Sequence, residues 1–196
     1  MNRILATVVF LLSFGLLIGL QMRSTSTISR TQGFVIEQQG EEIIRIEGEH
    51  VFRVSPDDQL RRGTVIKTGN SRVLIAYESN LIALAERTEI QLTKPGEIKL
   101  LGGRIVISEP ITVRTSWINV HSETLLSVVN YAWKREVQIL PMGAIAIVEN
   151  SSLNEREFSF PTTWSEDTKE LSVSEEPFNA ETSSEADFYN WAQERL

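Results

Sequence analysis

The sequence predicts a mainly β protein. The expected body is a compact antiparallel β roll or sandwich with solenoid-like character. A single N-terminal transmembrane helix precedes it and a short C-terminal helix follows. Three observations carry this prediction. Short apolar segments recur between residues 34 and 150, at intervals of about 8 to 12 residues, with turn residues between them. Several alternate strictly: in Glu97-Ile98-Lys99-Leu100 and Glu89-Ile90-Gln91-Leu92 the even positions are apolar and the odd ones polar. That period-two pattern gives a strand one wet face and one buried face. Nine of the 11 glycines lie between Gly33 and Gly143 and none follows, which separates a turn-rich body from a different tail.

Taken in order, residues 1–22 are expected to form a signal anchor. Ile4 to Leu20 carry no charge, Pro, Asn or Gln. A helix needs about 17 to 20 apolar residues to span a bilayer core, whereas a cleavable signal core is nearer 7 to 15. The exit, Leu17-Ile18-Gly19-Leu20-Gln21-Met22-Arg23, offers no Ala-x-Ala site, so retention is favoured over cleavage. Cys is absent, which excludes lipidation at a cysteine. Arg3 lies on one flank and Arg23 and Arg30 on the other, so charge alone does not orient the span. The expectation is an inside N-terminus with the bulk translocated, periplasmic or at the cell surface. Residues 23–33, polar and without period, read as a linker.

The body, 34–150, is a train of β segments. They are 42–46, 50–54, 64–68, 72–77, 81–84, 89–92, 97–101, 104–107, 111–114, 125–129, 137–140 and 144–148. Arg72 to Tyr77 and Ala144 to Val148 are apolar almost throughout, as in strands covered on both faces or pointing into a closed core. Gly102-Gly103 reads as a tight turn between two strands. Residues 151–183, rich in Ser, Thr, Glu and Pro, read as an acidic flexible tail in which Phe158, Phe160 and Trp164 dock on the body. Residues 184–196 read as a short amphipathic helix. Ser184 and Asp187 have capping-box spacing, and Phe188, Trp191, Ala192 and Leu196 fall on one stripe. Three turns are marginal alone, so Phe188, Trp191 and Arg195 are expected to bind a surface, on a partner or on the chain's own body.

Residues 151–196 hold 11 acidic and 3 basic side chains, so most of the formal charge of -7 belongs to this end. No basic stripe exists to neutralise phosphates, and nucleic-acid binding is disfavoured. His50 and His121 are the only histidines, with no Cys, so neither a zinc pattern nor any cofactor is expected. His121-Ser122-Glu123 are adjacent, and neighbours in an extended chain point to opposite faces, which prevents a relay. The chain is not expected to be an enzyme. Glu86 and Glu89 read as solvated strand-end acids rather than a carboxylate pair. Tyr131 and Trp133 alternate beside Lys134 and Arg135. They either stack on a sugar or partner, or cap one end of the core.

The central stretch resembles the FecR-like domain of bacterial envelope proteins. That family ends a strand in Leu-x-x-Gly-Asp-x-Ile-x-Thr, and Leu60-Arg61-Arg62-Gly63-Thr64-Val65-Ile66-Lys67-Thr68 is similar. A strand, turn and strand follow in Val73–Tyr77, Glu78-Ser79-Asn80 and Leu81–Leu84, then Thr88-Glu89-Ile90-Gln91-Leu92. Leu100–Ile107, Val113-Arg114-Thr115 and Leu140–Ile147 match later elements, and Phe188, Trp191 and Arg195 match a Phe-x-x-Trp-x-x-x-Arg helix. Thr64 and Glu78-Ser79-Asn80 depart from the family's Asp and Asp-Gly-Ser. The resemblance implies an all-β domain outside the cytoplasmic membrane. Iron-transport regulators of the family carry a cytoplasmic segment before the span; with three residues there, a tethered binding or scaffold role is expected instead. Its partner would be an envelope or membrane protein, and any small-molecule ligand is unspecified. The alternative expectation is a lipid-handling jelly roll, as in lipopolysaccharide export, which needs an open apolar interior.

Overall fold

The computed structural model describes residues 33–108, 110–143, 145–150 and 153–196. The apolar run 4–20 and most of the linker lie outside these residues. Among the described residues, no helix is long and apolar enough to cross a membrane.

The described chain is mainly β and ends in one short helix, α1 (Ala186–Gln193). Strands fall into two sheets. The first runs β4 (Gln59–Leu60), β1 (Gly33–Gln39), β6 (Arg72–Tyr77), β7 (Asn80–Leu84), β9 (Glu97–Ile107), β12 (Leu126–Tyr131), β13 (Glu136–Pro141), β16 (Thr162–Ser165), β17 (Glu170–Val173). The second runs β3 (His50–Arg53), β2 (Ile43–Glu47), β5 (Val65–Thr68), β8 (Glu89–Leu92), β9 again, β10 (Ile111–Arg114), β11 (Asn119–Ser122), β14 (Ala146–Asn150), β15 (Leu153–Phe158). All pairings are antiparallel except β9 with β10. From β6 onward the chain lays successive strands mostly in pairs, first on one sheet and then on the other, and advances in one direction across both.

β9 is shared. Its first half pairs with β8 through Leu92↔Ile98 and Ile90↔Leu100, and its second half with β12 and β7 through Val128↔Ile105 and Leu84↔Ile105. Gly102-Gly103 is therefore a bend within one strand, not the expected turn between two. Gly103 has φ +91, and a Cβ there would sit 2.5 Å from the Thr88 Cα. Only glycine offers both that φ and that approach. A glycine pair marks turns and strand bends alike, so the sequence alone does not separate them.

One apolar cluster draws on both sheets. Ile66, Ile90, Leu92, Ile98, Leu100 and Val120 from the second sheet meet Val35, Val73, Ile75, Ile82, Leu84, Ile105 and Val128 from the first, each fully buried. The interior is filled by these side chains. After Arg72 at its start, β6 is apolar because both faces are covered: Val73, Ile75 and Tyr77 join this cluster, while Leu74 points to a second cluster beneath α1.

The β body does not end at 150, and 151–183 is not simply a flexible tail. β15, β16 and β17 extend both sheets. Trp164, opposite Val137 on β13, is 1% exposed in the main core. Phe158 packs partly against that core, but Phe160 stays exposed. The alternation in Thr162-Thr163-Trp164-Ser165 is short and built from Thr and Ser, so its composition resembles a linker although Thr favours strands. β1, β4 and β11 also lie outside the predicted segments.

Candidate functional site

The C-terminal helix docks on its own body. Phe188, Tyr189, Trp191 and Ala192 are buried against Leu74, Ala83, Ala85 and Val106 on the outer face of the first sheet. Phe188 and Trp191 stack with centroids 6.1 Å apart, and Phe178 meets Tyr189 edge-on at 4.9 Å. Burial of a large apolar side chain contributes about 1.5–3 kcal/mol, which is what a marginal helix needs. Arg195 lies over Trp191 at 5.2 Å and donates through Nε to Glu37 at 2.9 Å, tying the end of α1 to β1. That hydrogen bond from Arg195 raises its already high pKa.

The capping box does not form. Glu185, not Ser184, is the N-cap residue and makes no side-chain cap. Its carboxylate instead reaches Arg104 Nη1 at 3.1 Å. The Ser183 carbonyl accepts from the Ala186 amide at 3.1 Å. Tyr189, one residue off the predicted stripe, is 1% exposed and accepts a hydrogen bond from Ser127 Oγ at 3.4 Å. Burial pushes its phenol pKa up, although Arg104, 5.5 Å from the ring, acts against it.

Beside the start of α1 lies an open cleft of about 770 Å³. Its lining comes from the segment between β7 and β8 (Ala85, Glu86, Arg87), the β9 bend (Leu101 to Arg104), the end of β12 with its turn (Asn130 to Trp133), and Glu185 and Phe188. Two threonines fix the floor. Thr68 Oγ1 donates to the Ala85 carbonyl at 2.6 Å and accepts from the Thr88 amide at 2.8 Å. Thr88 Oγ1 accepts from the Arg104 amide and donates to the Arg104 carbonyl, both at 3.0 Å. Asn130, 2% exposed, donates to the Leu100 and Leu101 carbonyls at 2.9 and 3.1 Å. Its Oδ1, and Arg104 Nε, are buried without a hydrogen-bond partner.

The predicted aromatics sit at the rim. Trp133 is 78% exposed, so it does not cap the core; it lies in the turn after β12, whose last residue is Tyr131. Lys134 Nζ stands 4.9 Å from the Trp133 ring centre and 5.4 Å from that of Tyr131. Arg87 and Arg135 hold left-handed backbone at φ 54 and 57, a conformation uncommon outside glycine. Arg72 pairs with Glu86 at 3.6 Å and donates to the Asp187 carbonyl at 3.2 Å. Glu89 pairs with Lys67 at 3.0 Å, so Glu86 and Glu89 each serve a cation rather than each other. Arg87 is exposed and has no ion pair among the described residues.

Sequence reasoning missed Arg72, Arg104 and Asn130. Each lies in or beside an apolar strand, where an isolated polar residue is the available signal. Ser122, in the His121-Ser122-Glu123 run, is buried and donates to the Ile145 carbonyl at 3.0 Å. Among the described residues, no group of three or more His, Asp or Glu stands close enough to hold a metal ion. Comparison with protein-family models, characterised proteins and solved structures gives no match.

Proposed function

We propose that the chain is a non-enzymatic binding or scaffold module of the bacterial cell envelope. It is tethered by the apolar segment 4–20 and presents an extracytoplasmic, FecR-like β roll of solenoid-like character to an envelope or membrane protein. One observation carries the reading: the cleft beside α1, with exposed Trp133 at its rim and, in its wall, exposed Arg87, which has no ion pair among the described residues. An exposed tryptophan and an exposed arginine lining one cleft are the residue types that interface hot spots favour. The docked helix supports this reading by walling the cleft with Glu185 and Phe188. The lipid-handling alternative requires an open apolar interior, and the side chains of both sheets occupy that space.

Photo-crosslinking tests the proposal. A benzophenone amino acid at position 133, in the full chain in intact cells, is expected to give a discrete adduct. Arg87→Ala should weaken that adduct. The same probe at Val173, exposed on β17 away from the cleft lining, should give none. An absent adduct at 133, or equal adducts at both positions, would count against the cleft as the binding surface.

A further inference from the structure

The edge strand β3 has a surface that goes beyond that reading. All four residues, His50 to Arg53, are exposed; Val51 is 61% and Phe52 42% exposed. Among the described strands, β3 pairs only with β2. A free strand edge is a template for another strand unless its sequence opposes pairing.

The register that β3 would accept follows from its own hairpin. Glu47↔His50 closes a two-residue turn in which Gly48 holds φ 62. Hydrogen-bonded and non-bonded pairs alternate along an antiparallel ladder. The Val54 amide donates to the Ile43 carbonyl at 3.0 Å, so the even residues of this strand turn their main-chain groups inward, toward β2. Val51 and Arg53 therefore direct theirs to the open edge. An antiparallel partner must match outward residue to outward residue.

We propose that β3 pairs with β3 of a second copy of this chain, antiparallel and two-fold symmetric about Val51. In that register Val51 meets Val51 and exchanges both main-chain hydrogen bonds across the axis. Glu49 meets Arg53 of the second copy, and the symmetry repeats that opposite-charge pair at the other end. His50 stands opposite Phe52 of the second copy. In each protomer Phe52 is already backed by the Arg45 guanidinium, 5.1 Å from its ring centre. The charges at this edge complement one another, whereas those at β15, the far edge of the same sheet, do not. β15 carries Glu155, Arg156 and Glu157, and an antiparallel register centred on any of the three sets like charges face to face. Opposite charges directly across a sheet stabilise pairing and like charges oppose it. A two-fold contact of this kind closes after two copies and does not propagate.

The chain has no Cys, so one introduced thiol reports cleanly. The full chain in mild detergent, carrying Val51→Cys, is oxidised with copper phenanthroline. A disulfide-linked dimer is expected, with Val173→Cys remaining monomeric under the same treatment. Adding Arg53→Glu sets Glu49 against a glutamate and should weaken dimer formation about tenfold. Adding Glu49→Arg to that variant restores the complement and should restore the cross-link. Val51→Pro, without cysteine, should sediment as a monomer with native tryptophan fluorescence, because the lost amide points away from β2. Equal cross-linking at 51 and 173, cross-links only to other proteins, or failure of the charge swap to restore the dimer would overturn the proposal.

Discussion

Gly103→Ala probes the feature that joins the two sheets. Gly103 sits where β9 passes from one sheet to the other, with φ +91. An added Cβ would lie 2.5 Å from both Cα and Oγ1 of Thr88 and 2.7 Å from the Arg87 carbonyl oxygen. Two of those neighbours are backbone atoms and cannot swing aside. The left-handed conformation costs an L-residue about 1–2 kcal/mol. Forcing an extra carbon into a filled site costs about 1–3 kcal/mol more. The variant should thus lose about 2–5 kcal/mol. Urea unfolding followed by tryptophan fluorescence reads this through buried Trp164 and Trp191. With a slope of about 2 kcal/mol per molar, the midpoint should fall by about 1–2.5 M. Gly102→Ala is the matched control: nothing lies within 4 Å of its added Cβ. It should be neutral or slightly stabilising. A Gly103→Ala variant within about 0.5 kcal/mol of the parent, or a Gly102→Ala variant equally damaged, would mean that the β9 bend does not depend on glycine at 103.

Trp191→Ala removes the ring between Phe188 and Arg195 and should cost about 3 kcal/mol, lowering Tm by about 10 °C; a shift under about 2 °C would mean the helix is not held in this dock. Thr68→Val keeps the shape but leaves the Ala85 carbonyl and the Thr88 amide unpaired, for a loss of about 2–4 kcal/mol in urea unfolding; an unchanged midpoint would remove the threonine thread from the account. Burial works against ionisation of Glu97, but the ammonium of Lys94 at 3.3 Å, the Thr93 hydroxyl at 3.1 Å and Arg114 at 3.4 Å together outweigh it and lower its pKa. That stabilisation is present above the ordinary glutamate value and is lost as pH falls through the lowered one. Glu97→Gln should therefore be less stable than the parent at pH 7, and the gap should close in acid; a pH-independent gap would contradict the sign.

How much of the fold was legible depended on local pattern. Where one face is wet, as in β8 and the first half of β9, period-two alternation gave the strand and its buried residues together: Ile90, Leu92, Ile98 and Leu100 are all fully buried. Where both faces are covered, as in β6, a continuous apolar run pointed to a second covering layer, which proved to be α1 on Leu74. Strands made of Thr, Ser and Glu were hidden because their stability comes from ladder hydrogen bonds and a single anchor such as Trp164, not from composition. The cleft was legible through its aromatics, Tyr131, Trp133 and Phe188. Arg72, Arg87, Arg104 and Asn130 are brought together by the crossing of β9 and by α1, which joins Arg72 to Asp187 across 115 residues of chain. Contacts of that range leave no local pattern to read.

We propose a tethered body that lies in the space outside the cytoplasmic membrane. The most direct test is Val173→Cys, exposed on β17 outside the cleft lining, in an otherwise cysteine-free chain, treated in spheroplasts with a maleimide that does not cross membranes. Full labelling is expected before lysis, with the protein recovered in the membrane fraction and its N-terminus unprocessed. Labelling only after lysis would contradict it.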